Sequence, residues 1–159
     1  PRTLMQTEPL RAEYQDRDAR MASLAEQHLD AVVMLPTLAC GVEEALRNVV
    51  GATMASLSAF NRWLEEDWGF DYRGRILAAP MLSLADPDAA VAELESLLQR
   101  GVRIVHVRPA PVPGPNGTSR SLGDKLHDPV WARIAEAGVP VAFHVGDSGY
   151  EARFGSGSG

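Results

Sequence analysis

The most constraining feature of this chain is a unit that recurs along it: a short, nearly continuous apolar run, then a loop, then a helix with a marked start and stop. The runs are residues 31–35, 76–81, 102–107 and 139–145. Each is five to seven residues of mainly Val, Ile, Leu and Ala, without strict alternation, as expected of a strand covered on both faces. Asp86-Pro87 opens a helix whose inner face is Val91, Leu94 and Leu98, and Gly101 closes it. Asp128-Pro129 opens another, with Asp128 as its expected N-cap, and Gly138 stops it. Upstream, Asp16 caps a helix over residues 16–29. Residues 42–66 read as a short and a longer helix broken near 48–51, with Leu57, Phe60 and Leu64 as the buried stripe of the second. Residues 109–123 read as a Pro/Gly-rich loop.

Strands of this kind alternating with helices specify an α/β fold with a parallel sheet and right-handed crossovers. A doubly wound open sheet satisfies the pattern, and so does a contiguous portion of a (β/α)8 TIM barrel. Periodicity does not separate them. The expected organisation is an irregular lead-in over residues 1–15, a partial (β/α) barrel domain over 16–150, and a linker-like tail over 151–159. A start at Pro1 without methionine and a Gly-Ser repeat at the end read as a piece of a longer protein.

Composition narrows the function classes. The chain has 159 residues, 45% of them hydrophobic, enough to bury a core. Its formal charge is −6, with Lys and Arg scattered, so no basic stripe is available to neutralise phosphates, and neither nucleic acid nor a membrane surface is expected as a partner. No run approaches the roughly 18 to 20 apolar residues of a membrane span. The single cysteine, Cys40, rules out an internal disulfide and suits the cytoplasm. Asn116-Gly117-Thr118 fits a glycosylation acceptor but, with no secretory signal, marks only a surface loop.

In either α/β architecture ligands gather at the C-terminal ends of the parallel strands. That rule selects Thr37, Ser83, Arg108 and His144. A neutral imidazole at His144 can ligate a divalent metal or move a proton, or it can cap the strand and bond a loop carbonyl. Arg108 can clamp a substrate carboxylate, or pair with a loop acid such as Asp124. The other histidines read as structural: His28 near a helix C-terminus, His106 inside a strand and packed on a helix, and His127 before an N-cap and facing solvent. Cys40 is assigned to a loop without a supporting His or Asn. Trp63, Trp68 and Phe70 read as helix packing. Glu43-Glu44 and Glu65-Glu66 read as solvated helix faces. Neither the terminal Gly-Ser repeat nor the Gly117–Lys125 stretch has the spacing of a nucleotide-binding loop.

One ordered series carries a resemblance. Asn61 with Trp63-Leu64, Arg75-Ile76 entering a strand that ends at Pro80, Asp86-Pro87 and Glu93-Leu94 on a helix closed by Gly101, His127-Asp128-Pro129 with Trp131, and Ala137-Gly138-Val139-Pro140 leading to Phe143-His144 together resemble the amidohydrolase-related family. These are metal-dependent TIM-barrel hydrolases and decarboxylases similar to aminocarboxymuconate-semialdehyde decarboxylase. The resemblance implies one divalent metal, usually zinc, held by a His-x-His pair after the first strand, a histidine ending the fifth and an aspartate ending the eighth. His144 matches the fifth-strand ligand, which makes the visible strands two to five. Thr37, Arg108 and Asp147 fall on the substrate side, and Asp147 could add a second metal ligand. No His-x-His occurs in this chain, and the family's further catalytic histidine has no counterpart, so no catalytic residue is assigned. The expectation is a hydrolase or non-oxidative decarboxylase of a small carboxylated substrate, with homo-oligomerisation left open and this chain alone inactive. The alternatives are a non-catalytic assembly or ligand-binding module and, more remotely, a flavodoxin-like open sheet.

Overall fold

The computed structural model describes residues 9–144. Asp147, the tail, the last residue of the 139–145 run and most of the lead-in lie outside the described residues. Five α-helices and six short strands follow one another: α1 Arg17–Glu26, β1 Val32–Met34, α2 Thr37–Ala45, α3 Val50–Asp67, β2 Ile76–Ala78, α4 Pro87–Gln99, β3 Val105–His106, β4 Val112–Pro113, β5 Ser119–Arg120, α5 Asp128–Ala137 and β6 Val141–Ala142.

All four apolar runs contain strands. β1 pairs with β2 in parallel, Val32 opposite Ile76 and Met34 opposite Ala78. Beyond β2 the chain reaches β3 through a parallel bridge between Met81 and His106. There the His106 N–H donates to the Pro80 carbonyl and the Leu82 N–H to the His106 carbonyl, both at 2.8 Å. β3 pairs with β6 in parallel, Val105 opposite Val141. The spatial order β1-β2-β3-β6 is the sequence order, with no reversal. It is therefore a portion of a barrel wall and not a doubly wound sheet, whose order reverses at its switch point.

Capping explains four of the helix boundaries. The Asp16 carboxylate accepts the Ala19 N–H at 2.7 Å and the Asp86 carboxylate accepts the Ala89 N–H at 3.1 Å. Gly101 (φ 79°) and Gly138 (φ 66°) take the left-handed conformation that ends a helix at little steric cost. Leu24, Leu64, Trp68, Leu94, Leu97, Val105, Val130 and Ile134 join the strands in one core. Among the described residues no helix is long and apolar enough to cross a membrane.

Several expectations are corrected. The short helix begins at Thr37, directly after β1, and not at residue 42, so Cys40 is a buried helical residue and not a loop residue. α1 stops at Glu26, and Leu29 is largely exposed. Asp128 is the first residue of α5 and not its N-cap: a 3-10 turn over Lys125–His127 runs straight into the helix, and Asp124 caps that turn by accepting the Leu126 N–H at 2.9 Å. The 109–123 loop contains an antiparallel hairpin, β4 with β5. Trp68 and Phe70 are buried in the core, whereas Trp63 is 46% exposed.

Candidate functional site

The parallel strands deliver four polar positions past their C-terminal ends, and the structure treats them differently. β6 ends at Ala142 and presents His144, half-buried, two residues on. β1 ends at Met34, and the turn through Pro36 places Thr37 on the first turn of α2. These two meet: Thr37 Oγ1 lies 3.0 Å from His144 Nε2. Ser83 is buried, its hydroxyl accepts the Ala85 N–H at 3.3 Å, and it lines a cleft of about 380 Å³ between α3 and α4.

Arg108 is also buried, but its partner is not Asp124. Its Nε donates to Glu43 at 2.5 Å and its Nη1 to Glu44 at 2.6 Å. Burial alone opposes the charge on Arg108, yet the two carboxylates overcome it and hold its pKa above the ordinary arginine value. Glu43 is therefore no solvated face, and only 4% of it is exposed. Glu44 also accepts from Arg47 at 3.1 Å. This cluster fastens α2, and with it Thr37, to the exit of β3. Glu65, another of the acids assigned to a solvated face, pairs with Arg100 at 2.6 Å.

Behind His144 lies a residue that sequence reasoning set aside. His106 is fully buried, and its Nε2 accepts the backbone N–H of His144 at 3.1 Å. A backbone N–H can only donate, so Nε2 carries no proton and Nδ1 does. Nδ1 points at Met81 Sδ, 3.0 Å away. Burial, reinforced by the neighbouring His144, lowers the His106 pKa to about 4, so the ring is neutral at physiological pH. Cys40 Sγ lies 3.9 Å from the same Nε2 and 3.7 Å from the Pro36 carbonyl. Burial first, and Glu43 second, raise the Cys40 pKa, so the thiol stays protonated and weakly nucleophilic. The one local signal for His106 was its place two residues before Arg108, close to the strand exit. His127 is buried too, against the expectation that it faces solvent, with Nδ1 3.4 Å from the Leu122 carbonyl.

As a metal ligand, His144 fits in chemistry and position: an imidazole at the mouth of a parallel wall, oriented at its ring by a hydroxyl and at its backbone by a neutral base. It fits as one ligand among several. Among the described residues no group of three or more His, Cys, Asp or Glu comes together as a metal-holding set.

Comparison with known proteins agrees with this architecture. The sequence pattern of the amidohydrolase family matches residues 12–157. A crystal structure of an amidohydrolase from Mycobacterium avium subsp. paratuberculosis K-10 is 58% identical and superposes with a TM-score of 0.91 over 98% of this chain and 41% of its own. This chain therefore spans about two fifths of that structure's length. A 2,6-dihydroxybenzoate decarboxylase in complex with 2,6-dihydroxybenzoate shares the fold at 22% identity, with a TM-score of 0.64 over 80% of this chain and 39% of its own. The 2,6-dihydroxybenzoate decarboxylase from Rhizobium does so at 19% identity and a TM-score of 0.53, over 87% of this chain and 43% of its own. No curated protein sequence matches.

Proposed function

This chain belongs to the amidohydrolase family, and from that premise we propose that it supplies the middle of the barrel of a metal-dependent hydrolase or non-oxidative decarboxylase acting on a small carboxylated molecule. The observation that carries the reading is His144, held at the C-terminal edge of a parallel wall against Thr37. The metal, for which we propose zinc, would be completed by ligands from beyond these residues; when bound it supplies a Lewis acid and an activated water. His144 contributes one imidazole nitrogen to that group. Thr37 fixes the rotation of the imidazole and presents its hydroxyl to the substrate side. Arg108 braces α2 from behind, since its guanidinium is already met by two carboxylates, and contact with the substrate falls to Thr37, whose hydroxyl can donate to a carboxylate, and to Asp147, which can accept from a donor group. The charge balance and the single cysteine favour the cytoplasm and a small-molecule partner.

The test is His144→Ala in the full-length protein, with metal content and turnover measured together. Both should fall severely while the fold survives, because removing a ligand removes the metal's charge and its water, an effect on kcat. Full activity and full metal content in that variant would overturn the reading.

A further inference from the structure

From the geometry around β6 we infer that His106 is a positioning residue: its ring takes the place of a backbone carbonyl at the end of the β3–β6 ladder and so sets where His144 stands. The inference rests on the reading of His144 as a ligand position.

The ladder shows the substitution. The Val105 N–H donates to the Pro140 carbonyl at 3.1 Å and the Val107 N–H to the Ala142 carbonyl at 3.1 Å. In this parallel register the next rung would run from the His144 N–H to the Val107 carbonyl. The His144 N–H goes instead to His106 Nε2. A side-chain acceptor displaces the donor from the line of the main-chain carbonyls, so β6 leaves the sheet at Ala142 and the imidazole of His144 is free to turn toward Thr37.

His106 is suited to this because it is itself fixed on every side. Its main chain bridges to Pro80 and Leu82, its Nδ1 faces Met81 Sδ, and Cys40 closes the remaining side. Three strands and α2 thus converge on one ring with a single tautomer. Met81 is held in turn by Asn61, whose amide accepts the Met81 N–H at 2.9 Å and donates to the Met81 carbonyl at 3.0 Å. A histidine needed only to fill volume would be replaceable by leucine without consequence at His144.

The experiment compares His106→Leu, His106→Gln and His144→Ala in the full-length protein. It reads residue-resolved hydrogen exchange at the His144 amide with the metal bound and, after the metal is chelated away, the affinity for added zinc. His106→Leu should speed that exchange about tenfold and weaken zinc binding about 10- to 100-fold. His106→Gln, whose side-chain carbonyl can accept in place of Nε2, should recover most of both. Unchanged exchange and affinity in a folded His106→Leu protein would overturn the inference. Should His106→Leu not fold, His106→Asn decides, because its shorter amide keeps a polar group at the site but falls short of the His144 N–H: faster His144 exchange with weaker zinc binding supports the inference, and no change in either overturns it. The underlying reading fails separately, through His144→Ala that keeps metal and turnover.

Discussion

Arg108 at the exit of β3 and Glu43 on α2 form a buried ion pair, Nε to carboxylate oxygen 2.5 Å, with side chains only 3% and 6% exposed. Two charges taken this far from water stabilise the fold mainly by not being separated. Glu43→Ala should therefore cost about 3–5 kcal/mol in urea denaturation, because it removes the more deeply buried of the two carboxylates that hold the Arg108 guanidinium. Glu44→Ala, whose carboxylate is 21% exposed, should cost clearly less. Equal costs for the two would show that burial does not rank these pairs.

Asn61 should be as sensitive without bearing any charge. Its amide satisfies both the N–H and the carbonyl of Met81 and donates to Glu93 at 2.9 Å. Asn61→Leu leaves two buried backbone groups unpaired, and about 2–4 kcal/mol of stability should be lost. Thermal unfolding of the variant would check this.

The pKa of His106 predicts a pH dependence with a definite sign. The folded chain holds the ring neutral down to about pH 4, whereas the unfolded ring takes a proton near its ordinary value of 6.5. The stability it contributes is fully present above about pH 6.5 and is lost as pH falls toward 4, by an amount on the order of 3 kcal/mol. Urea midpoints of the metal-free chain at pH 7 and pH 4.5 should fall further than those of His106→Gln. A constant difference between the two proteins across that range would contradict the shift.

His127→Ala should alter stability and leave metal content alone. The ring is 1% exposed beneath the 3-10 turn that leads into α5, and its removal leaves a cavity costing about 2 kcal/mol. Calorimetric melting beside metal analysis separates this effect from that of His144→Ala.

Cys40 gives a chemical check on the same region. With its thiol buried and its pKa raised, iodoacetamide should label it very slowly in the native chain and completely in urea. Rapid native labelling would place Cys40 outside the core.

The wall of the barrel was legible in the sequence because its strands are covered on both faces, which writes each as an uninterrupted apolar run. Asp16, Asp86, Gly101 and Gly138 were legible because capping is local chemistry. What escaped was non-local. Nothing near Glu43 announces an arginine 65 positions away, so an acidic pair on a helix read as a solvated face. His106 sits in a strand with no polar alternation to say which face it takes, and its partners come from the segment after β2, from α2 and from beyond the end of β6. The start of α2 was missed because Pro36 stands at its N-cap with no side-chain cap bond, and because its inward face carries Glu43 while the apolar Leu38 is turned outward. His144 emerged from a positional rule and a resemblance together; neither could have supplied its contact with Thr37.

The strand order has one more consequence. Among the described residues β1 pairs only with β2 and β6 only with β3, so each presents a row of main-chain donors and acceptors with no strand beside it. Val33, in the middle of β1, is 47% exposed and carries no charge to discourage another chain. Closed barrels abolish such rows, and open ones act as templates for foreign backbones. Produced by itself, a wall of this kind offers foreign backbones an edge to add to, and light scattering at rising concentration would show that association.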